Sequence, residues 1–121
     1  MAKKKQRSVP KKPKFEIEYA EEVYGHLDVI ETKYHRTIQE AILEQLSHTP
    51  TVETRNRKPL EPPAPFEPPA PFEATWEIRF GQHNEFRALY EVKEIEKIVY
   101  ILAIGVKDGN RLIVGKEEFE T

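Results

Sequence analysis

The 121-residue sequence predicts one α+β domain in which a strand and a helical hairpin precede an antiparallel sheet. A two-residue hydrophobic period at residues 15–19 predicts the first strand, and periods of three and four residues predict two helices. The two-residue period returns at residue 76 and predicts an antiparallel meander of three to four strands. We expect both helices on one face of that sheet, because this arrangement buries the apolar stripes of all the elements.

The helical hairpin is predicted from a change of period after the first strand. The apolar side chains of residues 20–30 and of residues 34–46 each fall on one helical face. Pro50 follows the second helix, and proline cannot continue the helical hydrogen bonding. The stripes consist of Ala20, Val23, Leu27 and Ile30 in the first helix, and of Tyr34, Ile38, Ala41, Ile42 and Leu46 in the second.

The C-terminal part predicts strands of two kinds. Residues 76–80 and 86–92 alternate apolar and polar side chains, as half-buried strands do, and are separated by a turn candidate. Residues 98–104 are continuously apolar, which is typical of a central strand covered on both faces. We expect this strand to end at Gly105 and residues 112–114 to form a last short edge strand.

The predicted domain spans residues 15–114, between a basic tail at 1–14 and a C-terminal tail at 115–121. The basic tail carries seven Lys or Arg residues and no acid, and its composition predicts disorder. The remaining residues carry 12 basic and 21 acidic side chains, a net charge of −9. The tail is therefore either a solvated segment or an arm that contacts phosphates.

Residues 61–73 form a predicted proline-rich loop insertion within the domain. The hexad EPPAPF at residues 61–66 is repeated at residues 67–72. Proline at this density favours an extended polyproline II spacer. Either the repeat docks into an aromatic groove, or it is a duplication that a surface loop tolerates at small entropic cost.

Composition excludes several kinds of site. The chain has no cysteine, so disulfides and thiolate metal sites are excluded and a reducing, cytoplasmic compartment is expected. The four histidines have no metal-ligand spacing, and no glycine-rich phosphate motif is present, so we expect neither a metal nor a cofactor. No apolar run approaches the roughly 20 residues that cross a bilayer, so no membrane association is expected.

Five short segments of the chain together resemble a known protein family. They are residues 46–50 (LSHTP), 58–60 (KPL), 76–81 (WEIRFG), 86–92 (FRALYEV) and 99–105 (VYILAIG). In this order, they resemble sequences of the RelE/ParE toxins of type II toxin–antitoxin systems. Together with the helices, the resemblance covers about residues 15–114, and it implies a strand, a helical hairpin and then an antiparallel sheet.

The resemblance implies a candidate catalytic set. RelE toxins cut ribosome-bound mRNA by attack of a 2′-hydroxyl on the adjacent phosphate, and basic side chains stabilise the developing charge. Arg79, Arg87 and Lys107 match basic positions of the family. Glu77 replaces a usual lysine and is either a general base or a cross-strand partner of Arg87. Ile113 replaces the usual catalytic tyrosine. We expect both arginines to point outward from the sheet, with Arg87 exposed.

These residues imply a toxin that inhibits translation as an mRNA interferase, a ribosome-dependent endoribonuclease. Its partners are a cognate antitoxin, the ribosome and mRNA. The alternative is a non-catalytic protein of the same fold, which either poisons DNA gyrase as ParE toxins do or retains only antitoxin binding. The basic residues favour cleavage, whereas the acidic body and the missing tyrosine favour the alternative. The acidic body also suits a basic or mixed-charge antitoxin segment.

Overall fold

The computed structural model describes residues 14–60 and 74–120. The predicted basic tail, apart from Lys14, and the predicted proline-rich insertion lie outside these residues.

Within the described ranges, two α-helices and seven β-strands form a mixed α+β structure, which confirms the predicted class. Short 3-10 turns at Thr32–Tyr34 and Gln82–Asn84 precede the second helix and the fourth strand. No helix among these residues is both long and apolar enough to span a membrane. The elements are β1 (Glu16–Tyr19), α1 (Glu21–Asp28), α2 (His35–Leu46), β2 (Arg57–Pro59), β3 (Trp76–Phe80), β4 (Phe86–Lys93), β5 (Ile98–Asp108), β6 (Arg111–Val114) and β7 (Glu117–Glu120).

All strands of the described residues belong to one sheet, in which β2 to β7 are antiparallel neighbours in chain order. The meander therefore has six strands there instead of the predicted three to four. β1 instead pairs in parallel with the first half of β5, with Glu16 opposite Ile98. β6 pairs with the second half of β5, with Gly105 opposite Val114. β4 pairs with the other edge of β5. β1 and β6 therefore lie one after the other along the same edge of β5. The 11 residues of β5 make it long enough for two partners on that edge.

The prediction that the central strand ends at Gly105 is wrong. Instead of ending the strand, Gly105 lies inside β5, which continues to Asp108. A Cβ at Gly105 would lie 2.9 Å from the carbonyl oxygen of Ile113 in β6. The glycine is therefore needed for the close approach of two strands rather than for a turn.

The last strand also differs from the prediction. Residues 112–114 belong to β6, but β6 is not the edge, because β7 pairs with it. β7 lies within residues 115–121, which the sequence assigned to a tail. Its alternation is weak, since Phe119 is the only apolar residue among acidic ones. Phe119 packs beside the apolar cluster that includes Leu112, its partner in β6.

The main core lies between the helices and one face of the sheet, which we call the helix face. The predicted stripes of α1 and α2 pack there, so the helices cover one face as expected. The opposite face, the second face, carries a smaller apolar cluster. The sheet residues of the helix face are Ile78, Phe80, Phe86, Ala88, Tyr90, Val99, Ile101 and Ile104. The buried residues of the second face are Ala74, Leu89, Leu102, Ala103, Leu112 and Val114.

Hydrogen bonds from two buried side chains, Arg57 and Tyr90, hold the segment that follows α2 against the sheet. The guanidinium of Arg57 donates to the carbonyl of Gln45 at 2.7 Å and to that of Val52 at 2.9 Å. The Tyr90 hydroxyl donates to the carbonyl of Pro50 at 2.6 Å, and burial raises the pKa of this hydroxyl above its ordinary value. These bonds tie the end of α2 to β2 and β4, since they satisfy carbonyls that the helix and its following loop leave open.

His26 closes the gap where β1 ends and β6 begins along the edge of β5. The backbone N–H of Ile104 donates to Nδ1 of His26 at 3.3 Å. On the β1 side, the N–H of Ala20 donates to the carbonyl of Ile101 at 2.9 Å. Burial lowers the pKa of His26, while Glu22 and Glu117 act in the opposite direction. A side chain of α1 thus completes the backbone hydrogen bonding of the central strand.

Candidate functional site

The four predicted site residues share the second face of the sheet. Arg79 of β3 lies opposite Arg87 of β4, and Arg87 lies opposite Gly105 of β5. Side chains alternate along a strand, and Ile78, Phe80, Ala88 and Val106 pack in the helix-face core. The intervening residues must therefore face the other way. We call Glu77, Arg79, Arg87 and Lys107 the charge cluster.

Glu77 joins the two arginines of the charge cluster. Its Oε1 lies 3.5 Å from Nε of Arg79, and its Oε2 lies 3.4 Å from Nε of Arg87. The Glu77 side chain is only 13% exposed, so solvent screens these contacts weakly. The cross-strand ion pair with Arg87, one of the two interpretations of Glu77, is therefore present. Its other interpretation, general base, stays a prediction.

Arg87 is buried, and the prediction that it is exposed is wrong. The residue is 8% exposed, and its Nη1 donates to the carbonyl of Asn84 and, at 3.4 Å, to that of Phe86. Burial lowers the pKa of Arg87, repulsion by Arg79 lowers it further, and Glu77 raises it. Strand alternation placed the side chain on the correct face. It did not reveal the burial, which depends on residues outside β4, such as Glu77 and Asn84.

Arg79 and Lys107 are the more accessible cations of the cluster. The Arg79 side chain is 38% exposed, and its backbone N–H donates to the carbonyl of Asn56 at 2.9 Å. Lys107 is half-buried, and no ion pair within residues 14–60 and 74–120 involves it. Its backbone N–H donates to the carbonyl of Glu85 at 2.7 Å. By strand spacing and rise, the two Cα atoms are about 12 Å apart, with Arg87 between them.

The tight turn between β3 and β4 supports the cluster. Gly81, His83 and Asn84 have φ values of 87°, 57° and 53°. Non-glycine residues rarely adopt this region, although asparagine and histidine do so more readily than most. The turn presents the Asn84 carbonyl to Arg87. The sequence indicated the turn but not this contact, because only the three-dimensional path brings the carbonyl back over the strand.

Ile113, where the resemblance implies a catalytic tyrosine, lies on the opposite face of the sheet from the charge cluster. Ile113 of β6 is opposite Val106, which packs in the helix-face core. Paired residues in neighbouring strands point to the same face. A tyrosine at 113 would therefore point away from the second face and the charge cluster.

The charge cluster has a formal net charge of +2, since it combines two arginines and one lysine with one glutamate. Two accessible cations suit an anion with several oxygens, and the carboxylate between the guanidiniums is a proton acceptor. No group of three His, Asp or Glu residues suited to a metal ion occurs in the parts of the chain that the structure describes.

Comparison with protein-family models gives no match, and a search of curated proteins gives none either. Membership of the RelE/ParE family is therefore a proposal, which depends on the five sequence segments and on the positions of the residues they contain.

Proposed function

We propose that this chain is a RelE/ParE-type toxin of a type II toxin–antitoxin system. On this proposal it inhibits translation by ribosome-dependent mRNA cleavage and binds the RNA backbone at the charge cluster. One observation carries the proposal. Four residues that the resemblance identified at separate positions of the chain come from three adjacent strands and share one sheet face. Phosphate recognition by several basic groups requires such convergence.

The cluster suggests a division of roles. Arg79 and Lys107 contact the phosphate oxygens, because they are the cations that solvent reaches. Glu77 takes the proton of the 2′-hydroxyl, the 2′-oxygen bonds to phosphorus, and the bond from phosphorus to the 5′-oxygen breaks. Water protonates the leaving oxygen. Arg87 holds Glu77 in place rather than contacting RNA, since its guanidinium is already bound to Glu77 and two carbonyls.

The second candidate is a non-catalytic protein of the same proposed family, which binds an antitoxin or poisons DNA gyrase. Two observations favour it. The Arg87 guanidinium is committed to partners inside the protein. The position of the missing tyrosine also faces away from the cluster.

Induced expression in bacteria, together with cleavage of a reporter mRNA on ribosomes, distinguishes the two candidates. We expect growth arrest and cleavage by the parent, and a loss of about 100-fold in cleavage rate for Arg79→Ala and for Lys107→Ala. The matched controls are Arg36→Ala, on an 87% exposed side chain of α2, and Lys93→Ala at the end of β4. Both controls should cleave like the parent.

Other outcomes have defined meanings. Growth arrest without mRNA cleavage, but with inhibited DNA supercoiling, would assign the chain to the gyrase-poisoning alternative. No arrest and no cleavage would leave antitoxin binding as the function. Equal cleavage by the parent and by Arg79→Ala and Lys107→Ala would contradict the role given to the cluster.

The antitoxin part of the proposal has its own test. Coexpression with the product of an adjacent small gene should restore growth. The two proteins should copurify, and the complex should melt at a higher temperature, because a partner that binds only the folded state stabilises it by mass action. Arrest that no neighbouring gene relieves would contradict this part.

A further inference from the structure

A pocket opens between the two helices and the helix face of the sheet, away from the charge cluster. Its volume is about 270 Å³, close to the lower end of ligand pockets. Leu27, Ile38 and Ile104 supply aliphatic walls, and Tyr19, Tyr24 and Gln39 supply aromatic and amide groups. The pocket is large enough for one large apolar side chain.

Exposed apolar groups border the pocket on both helices. Tyr24 of α1 is 60% exposed, and Leu43 of α2 is 48% exposed. Leu43 lies one turn after Gln39, so these two side chains form a row along α2. Tyr24 forms a row on α1 with Glu21 three residues before it and Asp28 four residues after it. Apolar surface at the pocket is thus flanked directly by carboxylates.

The α1–α2 hairpin carries a net negative charge. Residues 21–46 contain six acidic and two basic side chains, a net charge of −4. Both basic side chains are already paired, with Lys33 Nζ 3.8 Å from Glu31 and Arg36 Nε 3.1 Å from Glu40. The other four carboxylates form no ion pair within residues 14–60 and 74–120, and all four are exposed. They are Glu21, Glu22, Asp28 and Glu44.

This charge selects among possible occupants. RNA and anionic lipid surfaces would be repelled. A second copy of the same surface would bring two sets of these four carboxylates together, which disfavours a symmetric dimer here. We propose that the α1–α2 hairpin docks a basic peptide segment of a partner protein, with one large apolar side chain of that segment in the pocket.

This proposal adds a binding surface for the partner of the proposed function. It rests on the proposed function only in identifying that partner as an antitoxin. Peptide binding is measured without toxicity or RNA cleavage, so either proposal can fail while the other holds.

The test uses the full chain and three synthetic 15-residue peptides. The first contains alanine and lysine with one central phenylalanine. The second replaces that phenylalanine with alanine, and the third replaces every lysine with glutamate. Dissociation constants are measured by fluorescence anisotropy, and contact sites by ¹H–¹⁵N NMR. We expect the first peptide to shift the resonances of Tyr24 and Gln39, and to bind about tenfold more tightly than the second. The third should not bind, because its charge matches that of the hairpin.

Variants locate the binding to the pocket. Tyr24→Ala should weaken the first peptide about tenfold, because it removes an aromatic wall. Val52→Ala is the matched control, since Val52 is 51% exposed but lies outside the hairpin, and its binding should be unchanged. Gln39→Ala is a second pocket variant and should also weaken binding. Circular dichroism checks that each variant is folded.

Several results would overturn the proposal. One is equal binding of the first two peptides, which would mean that charge attraction alone causes binding and that the pocket does not take up the phenylalanine. Another is a set of shifted resonances outside the hairpin, and a third is no binding at all. Shifts of Tyr24 and Gln39 that depend on protein concentration without peptide would assign the surface to a second copy of the chain.

Discussion

The two faces of the sheet arise from the same strand alternation but differ in the side chains they carry. On the helix face, apolar residues of β3, β4 and β5 meet two apolar helical stripes and form one continuous core. On the second face, the apolar cluster and the charge cluster lie side by side, with Leu89 and Arg87 only two residues apart along β4. Alternation therefore decides which face a side chain occupies, whereas the strands and clusters around it decide whether water reaches it.

The largest difference between the faces should be seen when buried aliphatic side chains are shortened. Ile104→Ala removes a fully buried side chain from the helix face and should reduce the free energy of unfolding by about 2–5 kcal/mol. Val114→Ala on the second face, where Val114 is 8% exposed, should cost less. Urea unfolding followed by tryptophan fluorescence measures both. Equal losses would contradict the looser packing expected of the second face, because Val114→Ala removes one carbon fewer than Ile104→Ala.

The two arginines of the charge cluster should differ in how much each contributes to stability. Arg87→Ala should destabilise the protein by about 1–3 kcal/mol, because it removes a partner of Glu77, whose side chain is 13% exposed, and leaves the Asn84 carbonyl without its donor. Arg79→Ala should cost less, since that side chain is 38% exposed and exposed ion pairs contribute little. Urea unfolding is again the measurement. A neutral Arg87→Ala would restore the exposed role that the sequence predicted.

Alanine substitutions at two glycines contrast a crowded position in β5 with an open position on α1. Gly105→Ala should destabilise by about 1–3 kcal/mol, because the new Cβ would meet the Ile113 carbonyl oxygen at 2.9 Å. Gly25→Ala should instead stabilise by about 0.5–1 kcal/mol, since nothing lies within 4 Å and alanine favours a helix. Thermal unfolding of both variants tests the close approach of β5 and β6. A stabilising Gly105→Ala would mean that these strands are farther apart.

Periodicity was sufficient to predict the parts of the fold that depend on local pattern. The stripes of both helices and the strands around residues 76–80 and 86–92 are present where the pattern predicts them. β7 was not predicted, because its pairing depends on β6 rather than on its own acidic sequence. The parallel pairing of β1 joins residues about eighty positions apart, and alternation within one segment contains no information about such a partner.

The same limit applies to the candidate site. Alternation correctly placed Arg79 and Arg87 on one face, and the possible pairing of Glu77 with Arg87 followed from their neighbouring strands. It did not place Lys107, because the predicted central strand ended at Gly105, whereas β5 continues to Asp108. The burial of Arg87 did not follow, because it depends on contacts with residues outside β4, which include Glu77 and Asn84. His26 was also missed as a structural residue. Its role arises only where β1 and β6 meet along β5, and no local motif marks that junction.

The smallest expected effect is a pH dependence at that junction. Nδ1 of His26 must be unprotonated to accept the N–H of Ile104, and burial lowers the pKa of this imidazole. The folded protein therefore binds the proton less readily than the unfolded chain, where histidine has a pKa of about 6.5. The stabilisation from neutral His26 is present above that value and is lost as the pH falls below it. Glu22 and Glu117 reduce the effect because they favour the protonated form.

Urea unfolding between about pH 7.5 and 5.5, on either side of the ordinary histidine pKa, measures this dependence. The parent should lose stability across this range, and His26→Gln should lose less, because glutamine does not titrate. His83→Gln is the matched control on an exposed turn, and it should keep the pH dependence of the parent. If His26→Gln and the parent lose the same stability on acidification, protonation of His26 does not disturb the junction. The hydrogen bond from Ile104 would then add little to the attachment of α1 to the sheet.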